Sequence, residues 1–306
     1  MLKEKNRVMK KVYIEGGINN IRIGMRQINL SDTILEKEGE HFIVKKNNPV
    51  ILYDTSGPYG DSLFNADYNT GLPCIREPWY SRRKDLNCKQ NGCKSAIKKH
   101  LFHAREGKII TQMYYAKKRM ISPEMEYVTI RENQQIEAMG LKSYITPDFV
   151  RKEIASGHAV IPANINHVEV EPMIIGNRFL VKINSNICLG KIFSKDDYEK
   201  LRLNCSFGVD TMMDITRDDP QLSTRDFLIR NSPIPIGTPP IYQALAKAGG
   251  IIENLSWEIY RDTLIEQLDQ GVDFISVHAA MRRKHIKIAS NRLKGIVSHS
   301  GMIISE

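Results

Sequence analysis

Phe179-Leu180-Val181-Lys182-Ile183, Val209-Asp210-Thr211-Met212-Met213, Ile234-Pro235-Ile236 and Phe274-Ile275-Ser276-Val277 are four short apolar runs that succeed one another in the second half of the chain. Runs of this length and composition are what strands covered on both faces require. Each is followed by a helical pattern. The clearest runs from Ser256 to Gly271, where Trp257, Tyr260, Leu264 and Leu268 recur at steps of three or four on one face. Ser256 is placed to cap its start and Gly271 its end. Alternating strands and helices imply right-handed crossovers and a parallel sheet, so the fold class is α/β. A closed eight-stranded βα barrel needs about 250 residues, or about 30 per unit. The 128 residues from Phe179 to Glu306 accommodate about four units, so the expectation is the first half of a (β/α)8 TIM-type barrel.

Upstream the texture is mixed and loop-rich. Extended pieces such as Val12-Tyr13-Ile14 and Val50-Ile51-Leu52-Tyr53 sit among turn clusters such as Thr55-Ser56-Gly57-Pro58. Ser122-Pro123 opens a helix, because the serine accepts free backbone N–H groups and proline is preset for the first turn. A second helix runs from Thr146-Pro147 to Ala155-Ser156 and is closed by Gly157. The expected division is a mixed domain over 1–145 and a partial barrel over 146–306.

The 306 residues are 42% hydrophobic and 26% charged, enough apolar content to offset chain entropy and exclude disorder as the main state. No run of about 18 apolar residues offers a membrane span, and the N-terminus lacks a secretory apolar stretch. Five scattered cysteines describe no disulfide framework, so a cytoplasmic setting is expected. The net charge is +9, and the stretch from Ser81 to Arg119 alone carries twelve Lys and Arg against Asp85 and Glu106. That stretch reads first as solvated surface, because no nucleic-acid-binding motif accompanies the charge.

In parallel α/β folds the loops after the strands carry the chemistry. Here the runs end in Asn184 and Asn186, Asp214, Thr238 and Tyr242, and His278. Ordinary turn and capping chemistry accounts for Asp214 and Thr238. Four consecutive polar strand ends raise a ligand site.

The chain resembles the phosphomethylpyrimidine synthase family of thiamine biosynthesis, in the radical S-adenosylmethionine class. The resemblance rests on Tyr53-Asp54-Thr55-Ser56-Gly57-Pro58-Tyr59-Gly60-Asp61, Ser122-Pro123-Glu124-Met125-Glu126-Tyr127, Ile161-Pro162-Ala163-Asn164-Ile165-Asn166-His167 and Glu171-Pro172-Met173-Ile174-Ile175-Gly176. It continues in Arg230-Asn231-Ser232-Pro233-Ile234-Pro235-Ile236-Gly237-Thr238 and Asp262-Thr263-Leu264-Ile265-Glu266-Gln267. It implies a lyase that rearranges aminoimidazole ribotide, a phosphorylated imidazole ribotide, into hydroxymethylpyrimidine phosphate. By resemblance the substrate contacts are Asn186, Met213, Tyr242, His278 and the segment Ser298-His299-Ser300.

The family pattern also departs here. Cys188-Leu189-Gly190 stands where members read Gly-Asn-Ser, His299 where they have arginine and Ser300 where they have glycine. The resemblance implies a 4Fe-4S cluster, S-adenosylmethionine and zinc as cofactors. The segments the family uses to ligate them, a Cys-x2-Cys-x4-Cys tail and two zinc histidines, are missing from this sequence, which holds no catalytic or metal residue of its own. Cys88-x4-Cys93 with His100 and His103 has neither the cluster spacing nor a standard zinc spacing. The expected function is therefore the substrate half of the synthase site, with a homodimer or a complementing C-terminal fragment as partner. The alternative is a truncated, inactive relative with weak ligand binding.

Overall fold

The computed structural model describes residues 9–35, 43–90, 100–142, 144–190, 192–216 and 222–305. Strands β1 (Met9–Glu15), β2 (Arg22–Ile28), β3 (Thr33–Leu35), β4 (Ile43–Lys45) and β5 (Val50–Leu52) come first. β1, β2 and β5 form an antiparallel sheet in that order, and β3 pairs with β4. The short helix α1 (Glu77–Ser81) precedes an antiparallel pair, β6 (Leu86–Gln90) and β7 (His100–Ala104). Then come helices α2 (Gln112–Lys117), α3 (Pro123–Ala138) and α4 (Pro147–Ala155). The caps read from the sequence form: Ser122 Oγ accepts Met125 N–H at 3.3 Å and Thr146 Oγ1 accepts Phe149 N–H at 3.1 Å. A small antiparallel pair follows, β8 (Ala159–Val160) and β9 (Ile175–Gly176).

The remainder alternates as expected. β10 (Asn184–Ile187), α5 (Lys195–Ser206), β11 (Thr211–Asp214), α6 (Leu222–Arg230), β12 (Ile236–Thr238), α7 (Pro240–Lys247), α8 (Trp257–Gln270) and β13 (Phe274–Ile275) follow in sequence. The four strands are parallel in the order β10-β11-β12-β13. Helices α9 (Arg283–Ser290) and α10 (His299–Ser305) complete the described chain. No helix among the described residues is long and apolar enough to cross a membrane.

Two local expectations are corrected. The first strand is Asn184–Ile187, not the apolar run Phe179–Ile183. Phe179 is spent on the helical core with Ile154 and Ile174, its ring 5.9 Å from that of Phe149. The backbone that follows is held by α3: Leu180 N–H donates to Glu132 at 2.9 Å, and Lys182 pairs with Glu132 at 2.7 Å. The ladder starts only at Ile183, whose carbonyl takes the N–H groups of Asp210 and Thr211.

In α8 the inward residues are Thr263 and Gln267, while Trp257 of the apolar stripe is 64% exposed. The adjoining side of the sheet presents polar groups, and α8 answers them. Thr238 Oγ1 donates to Gln267 Oε1 at 2.5 Å, and Gln267 Nε2 donates to Gln243 at 2.7 Å. Arg225 extends the network, donating to Gln243 at 2.8 Å and Gln270 at 3.1 Å, and pairing with Asp214 at 3.4 Å. Buried polar groups must find partners, and this requirement outweighs the apolar periodicity. Asp214 does the turn chemistry expected of it, accepting from Thr216 N–H at 3.1 Å and Thr216 Oγ1 at 2.5 Å, whereas Thr238 caps no helix and is held in the buried network instead.

Alternation along the strands gives the sheet two unlike faces. Ile187, Met212 and Ile236 pack with Leu201, Leu228 and Ile229 of the helices in one core. Asn184, Asn186, Thr211 and Met213 take the other face, where Thr211 Oγ1 donates to Asn184 at 3.0 Å. Gly237 shares that face, and the Phe274 ring lies so close over it that a Cβ would collide.

Residues 161–173 are largely buried yet contain no helix or strand, so their carbonyls need side-chain donors. Three fully buried arginines supply them. Arg76 donates to the carbonyls of Ala163, Asn164 and His167 at 3.0–3.1 Å. Arg230 donates to the Asn166 carbonyl at 2.7 Å, and Arg131 to those of Glu171 and Pro172 at 3.3 and 2.9 Å. Arg131 also reaches the carbonyl of Asp54. Burial alone would raise the Asp54 carboxyl, but Lys11 at 2.9 Å and Arg26 at 2.8 Å override it and hold it below the usual carboxylate range.

The Asp54 loop docks on the 230–233 segment. Tyr59 donates from its hydroxyl to the Asn231 carbonyl at 2.6 Å, and Gly57 sits at φ +54° with Pro233 filling the space a Cβ would need. Gly57→Ala combines a left-handed backbone with a Cβ driven into the proline ring. It is expected to destabilise the protein by about 2 kcal/mol, read as a lowered urea midpoint at unchanged slope. A midpoint equal to that of the parent would contradict this packing.

Candidate functional site

Local chemistry places each candidate at the carboxyl end of the parallel strands. Asn186 lies in β10 directly opposite Met213 of β11 in the ladder, so both side chains project from the face away from the helices. Tyr242 stands in the first turn of α7, whose Pro240 suits a helix start directly after β12. His278 follows β13, whose last ladder contact is Ser276 N–H to the Thr238 carbonyl at 2.8 Å. Ser298 precedes α10, and His299 and Ser300 open it.

Direct contacts gather five of the seven. Ser298 Oγ and Ser300 Oγ each lie 2.9 Å from His278 Nε2 and 3.1 Å from one another. The His299 ring stacks on that of Tyr242, with centroids 5.7 Å apart and planes inclined by 23°. Asn186 and Met213 are joined to each other by register rather than to this cluster by a hydrogen bond. Gly237 of β12 and Phe274 of β13 stand on the same level of the ladder, with the Phe274 ring over Gly237. A cavity of about 350 Å³ opens beside His278, lined by Val277, Ala279, Ala280, Met281 and His285. A larger cavity of about 500 Å³ lies at the other end of the strands, against Lys182, Ile183, Gly208 and Asp210, away from every candidate residue.

The groups present can hold a polar heterocyclic ligand. The Asn186 amide offers both donor and acceptor, Met213 an apolar contact, and the Tyr242–His299 pair a flat aromatic wall. What the sequence did not disclose is the support beneath the site. His167 is fully buried, with Nδ1 2.6 Å from Asp273 Oδ2 and Nε2 donating to the Ser232 carbonyl at 2.9 Å. Asp273 also accepts the N–H groups of Asn164 and Ile236, each at 2.8 Å. It immediately precedes β13, and thereby fixes the strand that delivers His278. Membership of His167 in the 161–167 segment was the only available signal.

The donor chemistry for an iron–sulfur cluster or a zinc ion is a separate matter. Among the described residues no three His, Cys, Asp or Glu side chains converge on a common point. Cys74, Cys88 and Cys188 are exposed free thiols, and Cys205 is buried in the core beneath the sheet. Cys93 lies outside the described residues, as do Lys94, Lys98 and Lys99 of the basic stretch. A cluster with one open iron takes three thiolates, so the described residues do not fit it, and no step is derived through it. Within the basic stretch, Arg83 is committed to Asp85 at 3.0 Å and Arg105 to the Leu86 carbonyl at 3.0 Å.

Residues 111–306 match the radical SAM ThiC family, and residues 7–87 match the ThiC-associated domain. The chain belongs to the radical SAM ThiC family, a family of lyases that make the pyrimidine of thiamine. Membership implies a 4Fe-4S cluster and S-adenosylmethionine.

Proposed function

We propose that this ThiC-family chain binds aminoimidazole ribotide at the carboxyl ends of β10 to β13 and supplies the substrate-side contacts for its conversion to hydroxymethylpyrimidine phosphate. The observation that supports this reading most is the meeting of Tyr242, His278, Ser298, His299 and Ser300, which arrive from three separate elements. Asn186 and Met213 complete the reading as contacts from the first two strands. The Tyr242–His299 wall suits a flat five-membered ring, and the imidazole of His278 suits the sugar and phosphate oxygens. Ligands for the iron–sulfur cluster come, in this reading, from outside the described residues.

Isothermal titration with aminoimidazole ribotide tests the proposal. The parent protein is expected to bind in the micromolar range, and Asn186→Ala and His278→Ala each to weaken binding about tenfold, the loss of one good hydrogen bond. Absence of binding by protein with native near-ultraviolet dichroism would overturn it. So would affinities unchanged in both variants.

A further inference from the structure

We propose that Ser298 and Ser300 are positioning residues for His278: their hydroxyls engage Nε2 and so present Nδ1 to the ligand. The three groups form a closed triangle, with 2.9 Å from Nε2 to each hydroxyl and 3.1 Å between the hydroxyls. Whichever group donates, Nε2 is occupied. Nδ1 makes no hydrogen bond among the described residues, and the imidazole borders the cavity of about 350 Å³.

Ser298 is itself fixed. Ser298 Oγ accepts the Gly301 N–H at 3.3 Å, and the Ser298 carbonyl accepts the Met302 N–H at 2.9 Å, which ties the triangle to the start of α10. His278, by contrast, sits on the connection between β13 and α9. An exposed imidazole on such a connection has a broad side-chain torsion, and contacts from a second element narrow it. The ring of His299, between the two serines, stacks on Tyr242 and takes no part in the triangle. The serines therefore act on the ligand through His278, rather than touching it as the family resemblance implies. Orientation of the ligand by Nδ1 rests on the proposed function, whereas the hold on Nε2 does not.

The test uses the full chain labelled with 15N. Two-bond 1H–15N spectra of the free protein report the two ring nitrogens of His278 separately. The parent should show one dominant tautomer, and Ser298→Ala/Ser300→Ala a shift of the His278 pattern toward the exchange-averaged form of a free imidazole. The double threonine variant keeps both hydroxyls and should restore the parent pattern. In titrations with aminoimidazole ribotide the alanine pair should weaken binding about tenfold, and the threonine pair less than threefold. A His278 pattern identical in the parent and the alanine pair overturns the proposal. So does weakened binding with an unchanged pattern, because the serines would then contact the ligand themselves. If the pattern shifts but the parent binds no ribotide, the hold on Nε2 stands and the proposed function falls.

Discussion

Asp273→Ala is expected to lower the unfolding free energy by about 3–5 kcal/mol, because one carboxylate serves three donors and each stranded donor costs about 1–3 kcal/mol. The carboxylate lies under β12 and β13 and accepts from His167 and from the backbone of Asn164 and Ile236. Alanine leaves three polar groups without an acceptor beside the fully buried His167 side chain. Asp273→Asn keeps an acceptor and should lose less. His167→Ala should approach the alanine value, because it strands the carboxylate instead. Urea titration followed by far-ultraviolet dichroism measures all three variants. A loss below about 1 kcal/mol for Asp273→Ala would mean that the pair does not anchor β13. The same substitution should also disperse the His278 resonances, because Asp273 holds the strand that carries them.

Arg230→Ala should have an effect of similar size, about 3–5 kcal/mol. One nitrogen of its guanidinium reaches both oxygens of Glu169 at 2.6 Å, and another reaches the Asn166 carbonyl at 2.7 Å. Glu169 is itself 3% exposed, so removal of its partner leaves a buried charge uncompensated. Arg230→Lys retains the charge but not the fork that spans carboxylate and carbonyl, and should recover less than half of the loss. The double variant Arg230→Met/Glu169→Leu separates the two contributions. If charge isolation dominates, it should be markedly more stable than Arg230→Ala. Equal stability of the two variants would assign the effect to the carbonyl contact and packing.

The alternation after residue 179 was readable because buried strands and amphipathic helices leave periods in the chain. The caps at Ser122, Thr146 and Ser256 were readable for the same reason: a capping hydroxyl acts on a backbone group three residues away. The first strand was misplaced because the fate of Phe179–Ile183 depends on Glu132 of α3, which no local pattern announces. The apolar stripe of α8 was legible as a stripe, but whether it faced inward depended on Thr238 and Gln243 across the interface. For the site, the strand ends drew attention to Asn186, Tyr242 and His278. The family resemblance added Met213 and the 298–300 segment. No spacing rule brings His299 onto Tyr242.

By itself the sequence determined the α/β class, the strand–helix alternation after residue 179 and the segments that mark the family, all of which rest on short-range chemistry. Only the tertiary structure decided that Arg76, Arg131 and Arg230 converge on the carbonyls of 161–173, and that His167 and Asp273 lock beneath the sheet. The physical reason is that a buried backbone lacking its own ladder must take donors from wherever the fold delivers them. That delivery is a property of the packed chain, not of neighbouring residues.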